Sequence, residues 1–101
     1  MIDVNQLEVR NKADKGRFEA QLEGEDVAFV AYSLRGNIIE MTHTEVPSAY
    51  AGQGIASKMV RDALEYAKAH KLRVIPTCPV VAAYIKKHPE YEDIRVKRFD
   101  E

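Results

Sequence analysis

The spacing of apolar residues changes at Pro47, and that change restricts the fold more than any other feature of the chain. Before Pro47 the apolar residues alternate. Leu7 and Val9 alternate with polar neighbours over 6–11, and Phe18, Ala20 and Leu22 do so over 17–22. A period of two sends successive side chains to opposite faces and suits half-buried antiparallel strands. The polar stretch NKADKG between them contains Gly16 and reads as a turn. Residues 25–34 (EDVAFVAYSL) read as a third strand, apolar enough to be covered on both faces. Arg35-Gly36-Asn37 is a hairpin signal, and the β-branched run NIIEMTHTEV (37–46) is a fourth strand.

After Pro47 the period becomes helical. Residues 54–70 place Ile55, Met59, Val60, Ala63, Leu64 and Ala67 on one stripe, with Arg61, Asp62, Glu65 and Lys68 largely opposite, as in an amphipathic helix. LRVIPTC (72–78) is a fifth strand whose Pro76 argues against full pairing on both sides. Residues 79–88 form a short helix, opened by Pro79 and closed before Pro89. Residues 93–99 read as a short last strand or an edge segment. The strand–helix–strand crossover makes the fourth and fifth strands parallel neighbours. The expected class is α/β in its α+β form: an antiparallel four-strand meander, a helix, a parallel fifth strand and a short helix.

A chain of 101 residues suits a single domain over 1–101. Its composition is globular, 46% hydrophobic and 31% charged. A net charge of −1 sets up no field that would favour nucleic acid or an acidic membrane. Its apolar runs fall far short of the ~20 residues of a membrane span, and MIDVNQLEVR has no signal-peptide h-region. A single cysteine forms no internal disulfide, which points to the cytoplasm. One Cys and three His, widely spaced, make no metal-ligand pattern.

The stretch PSAYAGQGIASKM (47–59) puts two glycines directly before a helix, although glycine costs about 1 kcal/mol inside one. A strand end, a glycine loop and a helix start can make an anion site. The first helical N–H groups have no internal partner, and the helix dipole is positive there. Gly52, Gln53, Gly54, Ile55 and Ala56 would supply the donors to a pyrophosphate. The alternative is a loop that needs positive φ at Gly52 or Gly54 and nothing more. The pattern G-x-x-x-x-G-K-[ST] is absent. The dinucleotide fingerprint fails too, because Ser57 stands at its third glycine and LRVIPTC carries no acid for a ribose.

The run Val46-Pro47 … Gly52-Gln53-Gly54-Ile55-Ala56 resembles the acetyl-CoA loop of the GCN5-related N-acetyltransferases, usually written Q/R-x-x-G-x-G/A. Gly54 and Ala56 match that pattern, and Ala51 departs from it. The chain is similar above all to the small single-domain subgroup that lacks the family's two N-terminal helices. His43-Thr44-Glu45-Val46-Pro47, GQGIA, Pro76-Thr77-Cys78 and Tyr84 … Lys87-His88-Pro89-Glu90-Tyr91 carry that likeness over nearly the whole chain. The resemblance implies binding of acetyl-CoA as cosubstrate and transfer of its acetyl group to an amine, the acceptor being unidentified. It also implies that acetyl-CoA lies between the fourth and fifth strands, with Val46 beside it and its pyrophosphate on the 52–57 turn, Ser57 included. The acceptor site would be open, or completed by a partner.

Several side chains carry the candidate chemistry. Cys78 stands where strand meets helix, a position that favours thiolate, and the resemblance puts it near the thioester sulfur. It is a candidate acetyl carrier, or else a small buried apolar residue. His43 and Glu45 lie two apart on one strand and share a face. His43, with an intrinsic pKa of about 6.5, is a candidate general base. Glu45 is a base through a water, an orienter of the amine, or a solvated carboxylate. The resemblance makes Tyr84 a proton donor to the departing CoA thiolate, although the stripe Val80, Val81, Tyr84 and Ile85 also explains a packing aromatic. Lys87 and His88 would meet the 3′-phosphate or remain solvated. Three functions stay open at this stage: an acetyltransferase, a non-catalytic CoA-binding sensor or adaptor, and an interaction domain that binds no CoA.

Overall fold

The computed structural model describes residues 2–101. In chain order it contains β1 (Val9–Lys12), β2 (Arg17–Gln21), β3 (Val27–Arg35), β4 (Ile38–Glu45), α1 (Ile55–Ala69), β5 (Arg73–Pro76) and α2 (Pro79–Lys87). One five-stranded sheet runs in the order β1-β2-β3-β4-β5. Its first three pairings are antiparallel and β4–β5 is parallel. The expected meander, crossover and short second helix are therefore all present.

The helical stripe of α1 is the stripe that is buried: Ile55, Met59, Val60, Ala63, Leu64 and Ala67. They join Phe18, Ala20, Ala28, Val30, Ile39, Met41 and Val74 of the sheet, and Val81 and Ile85 of α2, in one core. Full burial of each large side chain contributes about 1.5–3 kcal/mol relative to exposure. α1 stops where Lys71 takes a left-handed φ of 58° and the Leu72 N–H donates back to the Ala67 carbonyl at 2.8 Å.

The opposite face of the sheet is covered on one side only. Val96 packs there with Ile38 and Ile75, Phe99 closes the cluster, and the Arg35 guanidinium lies 4.5 Å from the Phe99 ring centre. Residues 93–99 are not a sixth strand. A 3-10 helix (Pro89–Ile94) runs into them, and a single parallel bridge joins Arg95 to Val74, with the Val96 N–H on the Val74 carbonyl at 2.8 Å. One bridge secures the tail without a ladder. β3 is also not covered on both faces. Ala28 and Val30 are fully buried under α1, whereas Val27, Phe29 and Ala31 are half-buried on the other side, where Arg17 lies 4.4 Å from the Phe29 ring centre. β1 begins two residues after Leu7. Leu7 reaches the core from the segment that follows a 3-10 turn, Val4–Gln6.

One irregularity decides which side chains face the helices. Ala31 pairs with His43, but Tyr32 pairs with Met41, so Thr42 is an extra residue in β4. Such a bulge reverses the alternation beyond it. Ile39 and Met41 face α1 before the bulge, and Thr44 does so after it, opposite buried Val30. His43 and Glu45 are turned to the open face.

This packing predicts that Leu64→Ala lowers the unfolding free energy by about 3 kcal/mol in urea denaturation. Leu34→Ser, at an exposed position of β3, should change it by less than about 0.5 kcal/mol. Equal effects would contradict the assigned core.

Candidate functional site

The chain leaves β4 at Glu45, makes one 3-10 turn (Ser48–Tyr50) and enters α1 through Gly52 and Gly54. Both glycines are left-handed, with φ of 80° and 81°. A Cβ built on either would meet no atom within 4 Å. Packing therefore does not demand glycine here; the backbone angle does, and the missing side chains leave open space above the turn. Gly54 is the residue before the helix, and its carbonyl accepts the first helical bond, from Lys58 N–H at 3.1 Å. Among the described residues, no acceptor meets the backbone N–H groups from Gly52 to Ser57. They lie at the positive end of a 15-residue helix. Val46, Tyr50, Gly52, Gly54, Ile55 and Ser57 line a hollow of about 180 Å³ over them. The Gln53 side chain is turned to the N-terminal segment, where its Oε1 accepts from Ile2 N–H at 2.9 Å.

Beside this turn the sheet splays. The β4–β5 ladder has four rungs and ends at Met41–Pro76. Proline has no N–H to continue it. The chain then turns at Thr77, and the Cys78 N–H donates to the Met41 carbonyl at 2.9 Å. β4 runs on to Glu45 with that edge free of β5. Cys78 is the residue before α2 and is buried. Its Sγ lies 3.4 Å from Thr44 Oγ1. Thr44 is a candidate that sequence reasoning missed: it stands between the two residues that were singled out, and only the bulge turns it, rather than them, toward the cysteine.

His43 and Glu45 are exposed neighbours, with Nε2 and Oε2 3.7 Å apart. The His43 ring lies 6.0 Å from that of Phe29, on the face away from Cys78. Tyr84 is stacked on His88 with ring centres 4.0 Å apart and is tilted against Tyr91 at 6.1 Å. Burial raises its phenol pKa, and Glu90, Asp62 and Glu65 add to the rise against the opposing charge of Arg61. With Ser57, Pro79, Val80 and Lys87, Tyr84 lines a groove of about 380 Å³. Ser57 belongs to this groove and to the turn hollow, so the two meet along α1 and α2. The structure thus brings together Val46, Gly52, Gly54, Ile55, Ala56 and Ser57, and places Tyr84 and Lys87 on the adjoining groove. His88 caps α2 beneath Tyr84. It does not bring His43 and Glu45 onto the face that holds Cys78. Among the described residues no cluster of His, Cys, Asp and Glu has the makings of a metal site.

Comparison with known proteins agrees with this arrangement. A family model for the GCN5-related N-acetyl-transferase matches residues 17–94. Protein NATD1 of Gallus gallus is 33% identical over 82% of this chain and 77% of its own length. Protein NATD1 of Homo sapiens is 33% identical over 82% of the chain and 75% of its own length. The solution structure of a GCN5-like protein from Staphylococcus aureus matches with a TM-score of 0.68 at 24% identity, covering 91% of this chain and 90% of that one. The architecture, the glycine turn and these relatives together make this chain a member of the GCN5-related N-acetyltransferase family.

Proposed function

We propose that this protein binds acetyl-CoA or CoA, with the pyrophosphate on the Gly52–Ser57 turn and the thioester end directed into the splay between β4 and β5. The run of unsatisfied N–H groups at the start of α1 carries this reading. A pyrophosphate would give those donors their acceptors and would meet the positive helix end. The space directly over both glycines is open, since a Cβ built on either would meet no atom within 4 Å. The free edge of β4 beyond Met41 offers backbone groups to the amide-containing arm of the cofactor. Lys87, on the adjoining groove, is placed to meet a further phosphate.

The geometry favours a CoA-binding sensor or adaptor over a fully assembled catalyst. His43 and Glu45 stand on one face of β4, Cys78 on the other, and the Tyr84 ring packs on His88. Acetyl transfer to an amine is the second reading. It is favoured because the sheet is open between β4 and β5, so that an amine reaching the splay from the outer face passes His43. Acetyl-CoA supplies an activated acyl group. In a direct route His43 would take the proton of the attacking amine, with Glu45 orienting it. In a covalent route the Cys78 thiolate would accept the acetyl group first, with Thr44 as its hydrogen-bond partner. Tyr84 remains the candidate proton donor to the leaving thiolate. We place the protein in the cytoplasm, where its one free cysteine stays reduced, and look for the acceptor among small molecules or proteins.

Isothermal titration should show saturable uptake of acetyl-CoA and none of NAD. Gly54→Glu, which puts a side chain and a negative charge into the phosphate position, should abolish that uptake in a folded protein. Retention of binding by the folded variant would move the cofactor elsewhere. On a panel of primary amines, the sensor reading expects no acetylated product. Product formed at wild-type rate by Cys78→Ala would establish transfer and eliminate the covalent route.

A further inference from the structure

The phosphate turn is held from outside by side chains. From Ala51 to Gly54 the backbone makes no hydrogen bond to any strand among the described residues. Two ties reach the segment: the Gln53 side chain on Ile2 N–H, and the phenol of Tyr50. Tyr50 closes the 3-10 turn that precedes the glycines, its N–H donating to the Pro47 carbonyl at 2.9 Å. Its ring is buried in the core and lines the hollow over the glycines. Its hydroxyl donates to Asp26 Oδ2 at 2.8 Å and lies 3.5 Å from the Glu23 carbonyl. That bond to Asp26 is the main reason the phenol pKa is raised. Asp26 belongs to the β2–β3 turn, which is itself braced. The Leu22 N–H donates to the Asp26 carbonyl at 2.8 Å, and Gln21 Nε2 donates to the Gly24 and Asp26 carbonyls at 2.8 and 3.1 Å.

We propose that Tyr50 and Asp26 form a strut that sets the position of the anion-binding amides, so that the β2–β3 turn helps determine affinity for the phosphate-bearing cofactor. The inference rests on the phosphate-turn reading above. Tyr50 is a positioning residue, and Asp26 acts through it. A charge-assisted bond of this kind holds one conformer of a segment that has few other restraints. Breaking it lets the donors leave the convergent arrangement without dismantling the core, because the ring stays buried when only the hydroxyl is lost. The strut therefore acts on ligands that carry the pyrophosphate and not on ones that lack it.

The test is a titration of wild type, Tyr50→Phe, Asp26→Ala and Asp26→Asn with acetyl-CoA and with S-acetylpantetheine, which has no phosphate, followed by NMR amide shifts. Tyr50→Phe and Asp26→Ala should weaken acetyl-CoA binding about tenfold, the effect of one lost charge-assisted bond. Asp26→Asn keeps an acceptor oxygen and should bind within about twofold of wild type, because the phenol still finds its partner. S-acetylpantetheine should bind all four proteins alike. Wild-type affinity for acetyl-CoA in Tyr50→Phe and Asp26→Ala, or an equal loss for both ligands, would overturn the strut. A wild-type protein that takes up no acetyl-CoA would instead overturn the phosphate-turn reading, and the role of the strut with it.

Discussion

The ladder between β4 and β5 stops at Met41–Pro76, and the opening beside the glycine turn depends on that stop. A longer parallel ladder would close the sheet and leave no opening beside the glycine turn. Pro76 has no N–H to donate, so the pairing ends where it stands, and the Cys78 N–H takes the Met41 carbonyl instead. This bond, with the Cys78–Thr44 contact and the packing of Val81, holds the start of α2 against β4 while the strands part. The first turns of both helices then flank the opening. α1 presents its unsatisfied amides, and α2 presents Pro79, Val80 and Tyr84 along the groove.

The bulge at Thr42 is the second constraint, and it divides the chemistry. Without it, His43 would face the helices and Thr44 the open side. With it, Thr44 meets Cys78 under α2, while His43 and Glu45 lie beside Phe29 on a face no helix covers. The side of β4 that faces the helices is therefore packed against Cys78 and α1, and the other side is exposed and charged.

Much of this was legible in the letters. Period-two alternation located β1 and β2, an apolar run and a β-branched run located β3 and β4, and the helical stripe from Ile55 to Ala67 located α1 and its buried side without any tertiary information. The glycine pair announced the turn because glycine takes φ near 80° without the steric cost other residues bear. The bulge was not legible. MTHTE is uniformly suited to a strand, and nothing in it marks Thr42 as unpaired, so Thr44 could not be chosen over His43 as the neighbour of Cys78. The letters leave the tail open between a last strand and an edge segment for a related reason. DIRVKRF alternates like a strand, but the 3-10 helix takes up its first two residues and leaves one bridge to β5, Arg95 with Val74, and the Val96 N–H on the Val74 carbonyl. The partners of Tyr50 and Phe29 were hidden because Asp26 and Arg17 reach them through the fold and not along the chain.

The most direct test of the central claim is an amide-resolved NMR titration of the intact protein with acetyl-CoA. The account predicts saturating shifts concentrated on the N–H groups of Gly52 to Ser57, as unsatisfied donors acquire oxygen acceptors. Smaller shifts should appear along Thr42 to Val46 and at Cys78, and β1 and β2 should stay silent. Saturable binding that leaves the 52–57 amides unmoved and shifts residues of the open sheet face instead would contradict it.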